Sequence, residues 1–354
     1  MLSRTTYVAV LVLALAGCDD GRMTSSDGSV MMGTDAGPMM GTDGGTMMGT
    51  DAGPPPPMSA LVDPGCTDGM FSEALPDPNA DLSGVESGFS GMTSRQFIEA
   101  ALGVRYTTGQ ELVANGTHPS IGDCVDTFLR DPSSPASIYD ELNTIVHECG
   151  HFYDLRLGSG ATSVYIINDS PLRLTCSGGD TTSRGGNTFE RSRIRGDAYQ
   201  SMKPDDFYAD VYLDGDPDNA TFEGGDQGFN ALFEETVQYV NSLATSYAFT
   251  NELNTGGASS QRDGILTFLW YVERYLRMAR LDYPTAYAHL LNGDGGCWRD
   301  AILTVWGRAW LYLEVTRGMR HLGLDDAQLE GLVMDTELLS EIQRLRDAAG
   351  CPAP

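Results

Sequence analysis

The segment Ser134–Gly158, "SPASIYDELNTIVHECGHFYDLRLG", constrains this chain more than any other. Ile138, Leu142, Ile145, Cys149 and Phe152 recur at spacings of three and four, which draws one apolar stripe along a long helix. Ser137 is placed as its N-cap, with Asp140 three residues on, and Gly158 as its C-terminal stop. His147 and His151 stand one turn apart, so they share a face turned away from the middle of the stripe. Glu148 follows the first of them directly.

A second stretch, Asp226–Phe249, repeats the helical period through Phe229, Leu232, Phe233, Val237, Val240, Leu243 and Tyr247, with Asp226 expected as N-cap. It carries the adjacent acids Glu234 and Glu235. "TSVYIIN" and "DFYADVYLDG" cluster β-branched and aromatic residues and are expected as short strands. From residue 258 to the end the chain reads as helix almost throughout. Trp270, Tyr271, Trp306 and Trp310 are expected in its core, and Gly295-Gly296-Cys297 marks a turn. The expected class is mainly α (α+β): the two helices face to face, a small sheet, and a helical C-terminal part over residues 258–354.

Two imidazoles one helical turn apart can direct a nitrogen at a single ion, which zinc accepts at about 2.0–2.1 Å. A glutamate beside them can take a proton from the attacking water. His147-Glu148-Cys149-Gly150-His151 thus resembles the His-Glu-x-x-His signature of the zincin metallopeptidases. That resemblance implies Zn2+ held by His147 and His151, with Glu148 as general base toward a zinc-activated water. It also implies a third protein ligand. A metzincin would place a histidine six residues after His151, where Leu157 stands, and no aspzincin-like aspartate segment is found. A gluzincin takes a glutamate from a downstream helix, here Glu235 ahead of Glu234, and Gln238 lies one turn past Glu234. Glu190 in "NTFERSRIRGD" is the alternative ligand, and the Asp205–Asp206 pair stands behind it. Tyr165, Tyr199, Tyr239, His289 and His321 are unranked candidates for stabilising an oxyanion.

The two ends of the chain differ sharply. Residues 1–17 combine Arg4 with an apolar run of signal-peptide length. They end in "LAGC", which resembles a bacterial lipobox and implies cleavage before Cys18 and lipid attachment there. "MMGTDAGPMMGTDGGTMMGTDAGP" then repeats an eight-residue unit with no apolar face. Residues 18–59 are therefore expected to be a disordered tether and residues 60–354 the folded part. Six further cysteines in an exported chain suggest disulfides; Cys297 is expected to pair with Cys351, and Cys149 to be a buried thiol. A net charge of −27 repels phosphate and argues against a nucleic-acid partner. Asp214, Asp216 and Asp218 alternate as in the first half of a Ca2+ loop, although Asn219 and Gly225 occupy positions where an EF-hand needs glycine and glutamate. The expectation is a lipid-anchored zinc metallopeptidase of a bacterial cell envelope, acting on peptides or proteins. The alternative is a surface lipoprotein with a zincin-like fold that binds a partner without hydrolysis.

Overall fold

The computed structural model describes residues 61–158, 162–169, 172–177, 192–213, 228–253 and 260–351. Beside several single-turn helices, the chain forms α1 (Ser94–Arg105), α2 (Thr107–Asn115), α3 (Cys124–Phe128), α4 (Pro135–Leu157), α5 (Phe207–Tyr212), α6 (Phe229–Ala248), α7 (Gln261–Asp282), α8 (Pro284–Asn292), α9 (Cys297–Val315), α10 (Asp326–Val333) and α11 (Thr336–Ala349). Strands β1 (Thr117–His118) and β2 (Gly122–Asp123) pair antiparallel, as do β3 (Thr162–Ile166) and β4 (Arg173–Ser177). The protein is mainly helical with two small two-stranded sheets. Among the described residues no helix is long and apolar enough to cross a membrane.

The helix carrying the two histidines, α4, begins earlier than its periodicity suggested. Ser134 is the N-cap and Pro135 opens the first turn, while Ser137 serves as the reciprocal partner in a capping box. Proline at the first helical position loses no hydrogen bond, since that amide has no helical acceptor, so the start moves upstream of Ser137. The helix ends at Leu157, before Gly158, as expected.

Helix α6 lies centrally: it packs on α4, on α7 and on α9. Nearly every side chain along it is buried, polar ones included. It opens at Phe229 after Gly228, without a side-chain cap; the expected cap, Asp226, lies outside the described residues. α7 and α9 form the aromatic core, with Trp270, Trp298, Trp306 and Trp310 fully buried. The segment expected as a second strand is instead α5, whose Tyr212 packs edge-on against Phe268 and whose Tyr208 lies across Tyr239. Aromatic spacing alone did not separate strand from a short helix there. The last helical stretch of the chain is two helices, α10 and α11, separated at Asp335, whose carboxylate caps the amides of Glu337 and Leu338.

Three disulfides tie these parts together: Cys66–Cys351, Cys124–Cys149 and Cys176–Cys297. The expected Cys297–Cys351 pair is therefore wrong, because β4 brings Cys176 to the start of α9 and the N-terminal segment brings Cys66 to the chain's end. Cys149 is not a free thiol; it anchors α4 to α3. The turn at Gly293–Gly296 adopts left-handed backbone at Asp294, Gly295 and Gly296, which explains its glycines. Cys18, the octad repeat, Glu190, Asp214, Asp216 and Asp218 lie outside the described residues.

Candidate metal centre

His147 and His151 project from α4 toward α6, which supplies both adjacent acids. The structure separates Glu234 from Glu235. Glu235 Oε2 lies 3.4 Å from His147 Nε2 and 3.4 Å from His151 Nε2, and the two Nε2 atoms are 3.0 Å apart. Glu234 turns to the far side of a ring, where its Oε1 accepts from His151 Nδ1 at 2.9 Å. Of the two acids named as third-ligand candidates, Glu235 thus lies with the two Nε2 atoms and Glu234 behind His151. One residue of separation on a helix rotates a side chain by about 100°, enough to send the first acid behind the imidazole and the second in front.

His147, His151 and Glu235 form a buried group able to hold a metal ion. They are 2%, 0% and 3% exposed. An ionised Glu234 only accepts, so His151 Nδ1 donates to it, and a neutral His151 ring then carries its lone pair on Nε2. His147 Nδ1 is likewise engaged, with Ser242 Oγ at 3.0 Å. With Nδ1 of each ring engaged on the side away from the group, both Nε2 atoms and Glu235 Oε2 converge on one point, where a cation would meet three lone pairs. A tetrahedral ion about 2.0–2.1 Å from each donor would space its donors about 3.3–3.4 Å apart. The two separations to Glu235, 3.4 Å each, match that edge length, and the 3.0 Å between the Nε2 atoms is shorter. The donor set, two imidazoles and one carboxylate, fits as well.

The electrostatics report the same convergence. Burial alone would raise the Glu235 carboxyl, but His151 and His147 beside it bring it down to about 2. Burial opposes a charged imidazole at His151, yet Glu235 and Glu234 hold it well above its ordinary range. Glu234 is raised by burial despite its bond to His151. Asp154 is pushed well up, first by burial and then by the neighbouring Glu234.

Behind the ligands, Gln238 donates to Glu234 Oε1 at 3.1 Å and to Asp154 Oδ2 at 3.0 Å. Asp154 Oδ1 also accepts from the Ile166 amide, which docks β3 on α4. This packing requires Gly150: a Cβ there would stand 1.9 Å from Gln238 Oε1. The glycine inside the histidine motif makes room for Gln238 of α6.

Glu148 is fully buried beside His147 in sequence. Of the candidates for oxyanion stabilisation, Tyr239 sets its ring edge against His147, with centroids 4.8 Å apart, and its hydroxyl 3.3 Å from that of Tyr212. The others are engaged elsewhere: Tyr165 with the Asn230 carbonyl, Tyr199 with Glu337, His289 with the Ser177 carbonyl and His321 with Thr250. Asp206 accepts from Tyr271 and Gln200, and Asp205 pairs with Lys203, so that pair does not join the centre.

Ser242, Asp154 and Tyr212 were not singled out in the sequence. Ser242 lies two turns after Glu235 and Asp154 one turn after His151, so helical spacing carried a signal for both. Tyr212 carried none, since its segment read as strand. Compared with known proteins, the chain matches no family model, no curated protein and no solved structure.

Proposed function

We propose that this chain is a zinc-dependent metallopeptidase of the zincin kind, gluzincin-like in drawing its third ligand from a downstream helix. We propose further that lipid on Cys18 holds it at a bacterial cell envelope. The observation that carries the reading is the convergence of His147, His151 and Glu235 in a motif where Glu148 directly follows the first ligand. A zinc ion held by those three side chains would supply a Lewis acid that polarises the scissile carbonyl. Glu148 takes a proton from the attacking water and returns it to the leaving nitrogen. Glu234 and Ser242 fix the ring orientations, and Gln238 fixes Glu234. Tyr239 is the hydroxyl best placed to donate to the developing oxyanion.

One observation favours a second reading, in which the ion is structural and the protein binds a partner without hydrolysis: all three ligands and Glu148 are buried. Glu148→Gln separates the two. The variant should retain the metal content of wild type and lose roughly 10²–10⁴-fold in peptide hydrolysis. Metal-loaded wild type that turns over no member of a diverse peptide library would leave the structural reading standing.

A further inference from the structure

The hydrogen bonds behind His151 continue past Gln238 and end on a group that can only donate. Asn241 Nδ2 donates to Gln238 Oε1 at 2.8 Å. Asn241 Oδ1 in turn accepts from Arg308 Nη1 at 2.7 Å. Arg308 lies on α9, is 1% exposed, and is held by Glu73 at 3.1 Å and by the Tyr106 hydroxyl at 2.8 Å. Asn241 and Gln238 are fully buried.

Amides are ambiguous links, since either end can face either way, but a guanidinium has no acceptor. Arg308 obliges Asn241 to turn its oxygen toward α9, and therefore its NH2 toward Gln238. Gln238 must then receive on its oxygen and spend both hydrogens on carboxylates, one on Glu234 and one on Asp154. With Gln238 donating to Glu234 Oε1, an ionised Glu234 accepts again on that oxygen from His151 Nδ1. The direction of every bond is thus set from the α9 end.

We infer that Arg308 is a positioning residue for the metal centre, setting through Asn241, Gln238 and Glu234 which nitrogen of His151 carries the proton and which faces the ion. This inference rests on the assignment of His147, His151 and Glu235 as the metal-holding group.

Asn241→Asp tests it at one link without changing size. The new carboxylate keeps, and strengthens, the pair with Arg308, so a merely structural role for Asn241 is preserved. It has no hydrogen for Gln238, whose amide must turn its oxygen toward Glu234 and Asp154 or break from them. The full chain is labelled with ¹⁵N at histidine, and the His151 Nδ1 resonance is read without metal. Zinc affinity is then measured by competition with a chromophoric chelator. Wild type should show a proton on Nδ1. Asn241→Asp should lose it in a substantial fraction of molecules and bind zinc roughly 10–100-fold more weakly. Arg308→Lys, which still only donates, should retain the wild-type resonance, whereas Arg308→Met should not. If Asn241→Asp fails to fold, the lysine and methionine pair decides.

A bare Nδ1 in wild type would overturn the inference. So would an unchanged resonance and a zinc affinity within twofold of wild type in both Asn241→Asp and Arg308→Met. Wild type that binds no zinc, while the resonance still follows Arg308, would sink the metal assignment and leave the relay intact.

Discussion

Helices α4 and α7 both bury ionisable side chains against α6, yet they dispose of them in opposite ways. On α7 the buried arginines reach outward to ready-made acceptors. Arg262 meets Asp326, the Leu313 carbonyl and Thr316. Arg274 meets Asp197, Gln200 and the Ile194 carbonyl, and lies over the Trp270 ring. Each meets several acceptors within the protein and staples a loop or helix end. Between α4 and α6 the polar groups point inward, and two Nε2 atoms and a carboxylate meet at one point. A cluster of donors matched to acceptors is finished by folding. One in which two imidazoles and a carboxylate converge can also be completed by a metal ion. That contrast sets the α4–α6 seam apart as the place able to hold a metal ion, although α7 buries at least as much charge.

The strongest way to break this comparison is to remove one converging acceptor. Glu235→Gln keeps size and helix propensity but takes away the charge that faces both Nε2 atoms. Zinc affinity should fall by more than about a hundredfold, since a ligand should cost more than the 10–100-fold typical of an outer partner. Glu234→Gln should fall only within that range, because it still offers an oxygen to His151 Nδ1. Competition titration ranks the two. Equal losses would mean that the carboxylates are not divided between ligand and supporting partner.

The converse perturbation belongs to α7. Arg274→Met leaves Asp197 and the Ile194 carbonyl without their donor and should lower stability by about 3 kcal/mol, read from denaturant unfolding. Metal stoichiometry should not change. A loss of bound metal in this variant would show that the two regions are coupled and that the contrast drawn between them is too sharp.

The helical stretches and their buried faces were legible because their period is carried by apolar residues, and α4, α6, α7 and α9 all show it. The histidine pair was legible for the same reason: one helical turn fixes the relation of His147 to His151 whatever else the chain does. Glu235 was legible only as one of several candidates. Choosing it over Glu234 depends on the rotation of α6 about its own axis, which packing against α4, α7 and α9 decides. Gly150 shows what local reading loses, since inside the motif it looks like a spacer, and only the approach of Gln238 gives it a purpose. Arg308 was beyond reach altogether; nothing near residue 308 refers to a histidine on α4. The cysteine pairing failed similarly, because a bond between Cys66 and Cys351 reports where the chain ends meet, a property of the whole topology.

The smallest expected effect sharpens the α7 side. Asp263, in the first turn of α7, is buried, which pushes its carboxyl up to about 6; the Leu324 and Asp325 amides it accepts pull it down, and the carboxylates of Asp326 and Asp325 push it further up. Its ordinary value in an unfolded chain is about 3.9. Between these limits the folded protein binds a proton that the unfolded chain has released. Stability contributed by this group is therefore complete below about pH 4 and is lost as pH rises through about 6. Asp263→Asn removes the titration; it keeps an oxygen for only one of the two amides, a loss that does not vary with pH and cancels in the comparison of slopes. The melting temperature of wild type should decline more than that of the variant between pH 4 and pH 6.5, and the two curves should run parallel above that. The net charge of −27 also disfavours the folded state as pH rises, but it does so in both proteins and cancels in the difference. If the curves are parallel throughout, Asp263 is ionised in the fold from low pH. In that case α7 would hold a buried charge satisfied by backbone amides alone, and the rule that its charges are completed by the fold would extend to its acids.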